Sequence, residues 1–178
     1  AFIAFTGSKP VGLSIAESAS KHQSGQRHIK KVIVELGGKN PMIVDSDADL
    51  DQAVPAILYS AFGFAGQKCS ALSRLIILDS VADELMDRLI GAVEGLRIGD
   101  PIEMYVDVGP VIDADAHARI KSVVDGAFMW GDVAISRTDL PEVGYFVPPT
   151  IVRNVKPESS LARDEIFGPV LSVFTVGD

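Results

Sequence analysis

The sequence predicts an α/β layer fold with parallel strands, because apolar, β-rich runs alternate along the chain with segments of helical pattern. One run, YFVPPTIV (145–152), is broken by two prolines, which favours an edge strand or a bend. The unbroken runs that predict strands are FIAF (2–5), KVIVEL (31–36), PMIVD (41–45), RLIILD (74–79) and PVLSVFTV (169–176).

Helical patterns lie between these runs. DADLDQAVPAILYSAF (47–62) and DADAHARIKSVVDGAF (113–128) predict helices, and Pro55 makes the first of them bend or start late. In SVADELMDRLIGAVEGLRIG (80–99), Ser80 is the predicted N-cap and Gly99 follows the predicted end. The apolar stripe of that helix consists of Val81, Leu85, Leu89, Val93 and Leu96.

Composition places the chain among compact globular proteins. Its 178 residues are 47% apolar with a mean hydropathy of +0.26, which suits one domain, or one domain and part of another. No apolar run is long enough to span a bilayer. The net charge of −8 argues against nonspecific nucleic-acid binding. A single cysteine cannot form an internal disulfide, which fits a reducing compartment, and we expect a cytoplasmic protein.

Both ends of the sequence look cut. The chain opens with AFIAF, inside a strand-like run, and closes with GPVLSVFTVGD, just after another. We therefore expect a fragment of a longer protein.

A strand followed by Thr6-Gly7-Ser8 and then a helix is the first stretch that could carry chemistry. Gly7 permits a tight turn, and the Ser8 hydroxyl can cap the helix. Free N–H groups at the helix start would favour a phosphate. The stretch matches no established phosphate-binding fingerprint, and by itself an ordinary capped turn explains it better.

Glu35 ends a very apolar strand and is followed by Gly37 and Gly38 in VIVELGGKNP. Active sites of α/β folds lie at the carboxyl ends of strands. Partial desolvation there would raise the pKa of a carboxyl group toward that of a useful general base. The alternative is a solvated carboxylate, but the two glycines let a ligand approach the backbone closely.

Cys69 lies among small residues in GFAGQKCSAL. A lone cysteine is usually a buried, inert side chain. Here the small neighbours leave room around the sulfur, and the charge of Lys68 favours the thiolate. The following backbone N–H groups could hold an oxyanion. These features predict a nucleophile, which Glu35 could activate. Glu165, in RDEIFGPVL, precedes a Gly-Pro turn and would by itself be read as a surface acid.

Together these four stretches resemble the aldehyde dehydrogenase superfamily. FTGS, ELGGKNP, GQKCS and EIFGPV occur in that family's order and at its spacing, and the resemblance covers nearly the whole chain. SAFGFAGQKCSALSR, VGPVID and the insert KHQSGQRHIKK (21–31) further resemble the branch that oxidises glutamate γ-semialdehyde, the open form of 1-pyrroline-5-carboxylate, in proline and arginine catabolism. Some members of that branch stand alone, and others are fused to a proline dehydrogenase.

The resemblance implies a three-layer α/β/α catalytic domain over residues 35–178, truncated at its C-terminal end. Residues 1–34 would be the remnant of a Rossmann-like NAD-binding domain. In the longer parent it implies homo-oligomerisation. Because other functional segments of the family would lie outside this chain, we expect the chain alone to have little or no activity.

The resemblance also implies a role for each matched residue. Cys69 would attack the aldehyde, and Glu35 would activate the water that hydrolyses the resulting thioester. Ser70 would bind the substrate carboxylate. No metal site is implied. NAD is the implied cofactor, with Gly7 and Ser8 at its pyrophosphate, Glu165 at the nicotinamide ribose, Phe167 beside the nicotinamide ring, and Leu36 as a further contact.

Within the family, the alternative is another NAD(P)-dependent aldehyde dehydrogenase. Two other functions stay open from the residues. Cys69 could act with His22, His28 or His117 as a hydrolase or acyltransferase, although His117 has the pattern of a solvated helix face. The motifs could also be relics in a fold without activity.

Overall fold

The computed structural model describes residues 2–177. The chain divides into two compact units, one ending at Gly38 and the other beginning at Lys39. The sequence predicts a boundary between residues 34 and 35. In the structure the first unit also contains Glu35, Leu36 and the glycine pair that follows them.

The first unit is a strand–helix–strand motif. Strands β1 (Phe2–Thr6) and β2 (Lys31–Glu35) are parallel, and helix α1 (Lys9–Ser20) connects them. The register pairs Thr6 with Glu35, so the two strands end side by side. Both predicted strands are confirmed.

The second unit is a five-stranded sheet with the strand order β3-β4-β7-β6-β5. The first four strands in this order are parallel, and β5 is antiparallel to β6. The strands are β3 (Asn40–Val44), β4 (Leu72–Leu78), β5 (Asp132–Ser136), β6 (Thr150–Arg153) and β7 (Val170–Val176). The helices are α2 (Leu50–Phe62), α3 (Asp79–Glu94), α4 (Ala114–Asp125) and α5 (Ser160–Arg163).

Two strand predictions need correction. The edge placement of 145–152 is wrong, because β6 lies inside the sheet between β7 and β5. Its prolines, Pro148 and Pro149, precede the strand, so every strand residue keeps a backbone N–H for the ladder. The edge position belongs to β5, a short and partly exposed strand whose sequence, DVAIS, was not predicted.

The ends of α3 also differ from the prediction. The N-cap is Leu78 rather than Ser80, and the helix stops at Gly95 rather than before Gly99. Gly95, a poor helix former, is the C-cap residue, and its N–H donates to the carbonyls of Gly91 and Val93. The apolar stripe faces the core as predicted.

Helix α2 begins at Leu50, before Pro55, so the predicted late start is wrong. The Asp49 side chain accepts hydrogen bonds from the backbone N–H groups of Asp51 and Gln52, which fixes the first turn. Asp113 caps α4 in the same way, through the Ala116 N–H.

Helices α2 and α3 pack against β4 and β7. Their fully buried side chains form one core with those of the sheet and of α4, including Phe62, Leu75, Leu85, Ile120 and Leu171. A buried hydroxyl in β7 is satisfied, since Ser172 Oγ donates to the Leu161 carbonyl over 2.9 Å. Within residues 2–177, no helix is long and apolar enough to cross a membrane.

Candidate active site

Cys69 lies at the tip of a tight turn between α2 and β4. The turn is closed by a 3.0 Å hydrogen bond from the Ala71 N–H to the Lys68 carbonyl. Cys69 and Ser70 occupy its two central positions, and both are exposed. The thiol is therefore open to an incoming reactant.

The segment before this turn has unusual backbone geometry. Phe64, Ala65 and Gly66 all have positive φ angles, of 58°, 52° and 67°. Such angles are rare for residues with a side chain and mark local strain. Lys68 extends toward α2, and its ammonium lies 4.9 Å from the centroid of the Tyr59 ring.

The Asn40 side chain contacts the Cys69 turn from β3. Its Nδ2 donates to the Cys69 carbonyl over 2.8 Å and to the Ala71 carbonyl over 2.9 Å. Both N–H groups of the amide therefore bond to the turn that carries the thiol.

A second loop, residues 164–169, approaches the cysteine segment backbone to backbone at Gly66 and Gly168. A Cβ atom placed on Gly66 would lie 2.3 Å from the Gly168 carbonyl oxygen, so no side chain fits there. This close approach brings the segment before Cys69 against the loop that carries Glu165 and Phe167.

The side chains of that second loop alternate in exposure. Ile166 is buried, whereas Glu165 and Phe167 on either side of it are exposed. Arg119 of α4 donates a guanidinium N–H to the Ile166 carbonyl and so holds the loop at its centre. Phe167 has a φ of 54°.

Phe167 faces a cavity of about 630 Å³, which Phe64 and Gln67 from the cysteine segment also line. Gln67 Oε1 accepts a 2.9 Å hydrogen bond from the Ile112 N–H, so this segment is also tied to the VGPVID stretch. The structure thus brings three of the sequence motifs to one region of the second unit.

Lys39, the residue before Asn40, is partly buried and its Nζ is shielded from solvent. Its Nζ has no hydrogen-bond partner among the described residues. Its pKa is lowered to about 8, chiefly by burial and in smaller part by the Arg74 charge, while the charges of Asp164 and Glu165 act in the opposite direction. Arg74 Nε donates to the Lys39 carbonyl over 2.9 Å.

The remaining predicted site residues lie in the first unit. The Gly7 N–H donates to the Glu35 carbonyl over 3.1 Å, so the ends of β1 and β2 are joined just where the FTGS and ELGG motifs begin. Leu36 packs against Gly12 of α1. Glu35 is exposed, and β2 is only partly buried, so the desolvation predicted for this carboxylate does not occur in this chain.

Ser8 occupies the N-cap position of α1, but its hydroxyl makes no capping hydrogen bond. The predicted hydroxyl cap is therefore wrong. Pro10 in the first turn lacks an N–H, so fewer donors need a cap there.

The site in the second unit lies at the amino ends of its parallel strands. Asn40, the Cys69 turn and the 164–169 loop come at or just before the starts of β3, β4 and β7. The general rule that active sites of α/β folds lie at the carboxyl ends of strands fits the position of Glu35, at the end of β2, but not the positions of these residues.

The histidines give no sign of a partner for the thiol. His117 is half-buried, and its ring centroid lies 6.3 Å from that of Tyr145, so the predicted solvated helix face is wrong. His22 and His28 are exposed in the segment between α1 and β2. Across residues 2–177, no cluster of three or more histidine, cysteine or acidic side chains could hold a metal ion.

Sequence reasoning missed Asn40, Arg119 and Lys39. The signal for Asn40 in the sequence is an amide side chain next to a proline, within the ELGGKNP motif. Arg119 acts through a backbone carbonyl 47 residues away, which no local pattern reveals.

Comparison with known proteins gives a consistent result. The model of the aldehyde dehydrogenase family matches residues 1–178. A 1-pyrroline-5-carboxylate dehydrogenase of Halalkalibacterium halodurans is 44% identical over 99% of this chain and 34% of its own length. The chain thus spans about a third of the length of the curated relatives it matches.

Comparison with solved structures leads to related proteins. Proline utilization A from Bdellovibrio bacteriovorus, inactivated by N-propargylglycine, superposes with a TM-score of 0.96 at 45% identity, over 99% of this chain and 18% of that one. The 1-pyrroline-5-carboxylate dehydrogenase from Thermus with bound NAD superposes with a TM-score of 0.94 at 42% identity, over 99% and 34%. These similarities establish the predicted fold.

Proposed function

Because this chain belongs to the aldehyde dehydrogenase family, we propose that the protein containing it oxidises glutamate γ-semialdehyde to glutamate with NAD as the hydride acceptor. The observation that carries the proposal is the exposed Cys69 thiol, at a turn whose preceding segment meets the Glu165–Phe167 loop. The relatives named above support the choice of substrate.

The chemistry proceeds through the thiol. The Cys69 thiolate adds to the aldehyde carbon to form a thiohemiacetal, and the Cys69 backbone N–H stabilises the oxyanion. NAD, when bound, accepts the hydride that leaves this carbon. The product is a thioester on Cys69. Glu35 takes a proton from water, the water oxygen attacks the thioester carbon, and glutamate leaves as the thiol is regenerated.

The residues around the thiol have properties that suit the dinucleotide. The exposed Glu165 carboxylate can accept hydrogen bonds from two ribose hydroxyls, and the exposed Phe167 ring offers a flat apolar surface. In the first unit, Gly7 and Ser8 precede α1, and because Ser8 leaves the first-turn N–H groups uncapped, they are available to a phosphate. Leu36 would contact the cofactor, and Ser70 would bind the substrate carboxylate.

The decisive experiment measures NADH formation by the complete protein with a panel of aldehydes. We expect glutamate γ-semialdehyde to give the highest kcat/KM, and Cys69→Ala to abolish turnover. Glu35→Gln should release a burst of up to one NADH per site and then stall, because the thioester forms but is not hydrolysed. Ser46→Ala, at an exposed position past the carboxyl end of β3, is the control that should behave as wild type.

The alternatives have distinct outcomes. If another aldehyde gives a higher kcat/KM than glutamate γ-semialdehyde, the proposed substrate is wrong but the reaction class stands. Failure of all aldehydes to yield NADH would overturn the reaction and revive the hydrolase or relic interpretation. Cytoplasmic location, homo-oligomerisation and fusion to a proline dehydrogenase stay predictions, to be tested by fractionation, light scattering and sequencing of the complete gene.

A further inference from the structure

We propose that Asn40 is a positioning residue for the nucleophile, which acts by holding the Cys69 turn through two backbone carbonyls. The inference rests on the proposed function, because it assigns Asn40 a part in the rate of thioester formation. Asn40 itself contacts the turn rather than the sulfur.

The geometry uses the full donor capacity of the side chain. A carboxamide has two N–H groups on one nitrogen, and Asn40 Nδ2 has two short acceptors, the carbonyls of Cys69 and Ala71, at 2.8 and 2.9 Å. The bond from the Ala71 N–H to the Lys68 carbonyl closes the turn along the chain. The amide of Asn40 ties the same turn sideways to another strand.

The backbone of Asn40, from which these two hydrogen bonds are made, is anchored in the sheet. Asn40 is the first residue of β3 and pairs with Leu72, and the register then shifts so that Pro41 pairs with Arg74. Pro41 restricts the backbone of the residue before it. Hydrogen bonds from Ser73 Oγ to the Asn40 carbonyl and from Arg74 to the Lys39 carbonyl fix the backbone on both sides. The side chain therefore reaches the turn from a rigid element.

Two contacts thus fix the backbone of the segment that bears the thiol. Before Cys69, Gly66 lies against Gly168 with no room for a side chain. After Cys69, Asn40 holds the carbonyls. Together these two contacts set the direction of the Cys69 side chain and of the Cys69 backbone N–H. In the proposed reaction, the thiol attacks the aldehyde and the N–H stabilises the oxyanion. A displacement of about 1 Å at a reacting group can cost about 100-fold in rate.

Substitutions at position 40 should rank by donor capacity. Asn40→Ala removes both hydrogen bonds, and Asn40→Ser keeps one donor on a shorter side chain. Asn40→Asp has nearly the same shape but, when ionised, directs acceptor oxygens at two carbonyl oxygens. We expect the rate of the NADH burst to fall about 10- to 100-fold in Asn40→Ala and further in Asn40→Asp, with partial rescue in Asn40→Ser.

The test uses the complete protein and pairs kinetics with hydrogen exchange. The burst rate should fall while the Kd for NAD stays within about twofold of wild type, since Asn40 is assigned to the thiol and not to the cofactor. Amides of residues 68–72 should exchange about tenfold faster in Asn40→Ala. The control is Ser46→Ala, which removes an exposed hydroxyl bonded to Asp45 past the opposite end of β3, away from the Cys69 turn.

These outcomes separate the two proposals. If the complete protein oxidises no aldehyde but exchange at residues 68–72 is faster in Asn40→Ala, the proposed function is refuted and the hold of Asn40 on the Cys69 turn is supported. A wild-type burst rate and wild-type exchange in a folded Asn40→Ala protein would overturn the positioning role. If none of the Asn40 variants folds, including Asn40→Ser, the residue is structural and the inference is wrong.

Discussion

At the scale of single residues, Gly66 makes the close contact between the cysteine segment and the 164–169 loop. We expect Gly66→Ala to lower the free energy of unfolding by about 2 kcal/mol or more, because the new Cβ meets a backbone carbonyl and φ is +67°. Urea unfolding of the complete protein measures this. Gly91→Ala, on α3 with open space around it, is the matched control and should be neutral or stabilising by up to about 1 kcal/mol. Equal effects at the two positions would contradict the argument.

Lys39 gives a prediction with a defined pH window. Its pKa falls from 10.5 to about 8 on folding, chiefly because burial disfavours the charged form. Below pH 8 both the folded and unfolded states are protonated, and the cost of burying the charge, roughly 3 kcal/mol, is fully present. Between pH 8 and 10.5 the unfolded state binds more protons, so this group's contribution makes stability rise with pH.

Lys39→Met should therefore be more stable than wild type at pH 7, and the difference should shrink toward pH 10. Urea unfolding at the two pH values measures it. Lys156→Met, at an exposed position, serves as the control and should show no such trend. A Lys39→Met effect that is constant with pH would mean that the ammonium is solvated.

The predictability of individual residues differs for a physical reason. Cys69 and Glu35 leave a local pattern, because they are reactive groups next to glycines and small residues, whereas Glu165 is indicated only by the resemblance to the family. Asn40 and Arg119 bond to backbone carbonyls distant in sequence, and a carbonyl is the same at every residue. The roles of the predicted residues stay predictions, whereas their positions are now described.

At the scale of elements, Arg137 secures the end of α3. This largely buried guanidinium follows β5, and its Nη1 donates to the carbonyls of Val93, Glu94 and Leu96 at 2.6–2.9 Å. Carbonyls at a helix C-terminus lack partners within the helix, and a cation there is favourable. Arg137 thereby joins the sheet edge to the helix that covers the core.

Arg137→Met should destabilise the protein by about 2 kcal/mol, the typical worth of a hydrogen bond to a charged group. Arg137→Lys should recover part of the loss. Asp139→Asn should matter less, since Asp139 is 64% exposed in its ion pair with Arg137. Thermal unfolding ranks the three variants, and a larger loss for Asp139→Asn than for Arg137→Met would show that the ion pair, not the cap, stabilises this junction.

The elements that the sequence predicted well are those with strong internal patterns. Strands β4 and β7 are apolar runs, and α3 has a clear stripe. Strand β5 was missed because it is short and partly exposed, so it lacks a continuous apolar run. The place of β6 inside the sheet depends on its neighbours, which no pattern within YFVPPTIV encodes.

At the scale of the whole molecule, we expect chain 1–178 alone to form NADH at least about 1,000-fold more slowly than the complete protein. The chain spans about a third of its curated relatives. Within residues 2–38, the first unit has a two-stranded sheet, and apolar side chains such as Phe2 and Ile33 are exposed. Turnover of glutamate γ-semialdehyde by both preparations, at equal thiol concentration, measures the difference. Comparable rates would refute the expectation.

The absence of room between Gly66 and Gly168 has a practical consequence for engineering. Loops that carry nucleophiles are often grafted between homologues one at a time to change specificity. Here the cysteine segment and the 164–169 loop meet backbone to backbone at Gly66 and Gly168, where no side chain can absorb a mismatch. If either loop alone were replaced by a donor loop with a different backbone path, the new loop would collide with the remaining one or leave a void beside it. The smallest transplantable unit is therefore the pair, and chimeras should be designed with both loops from one parent.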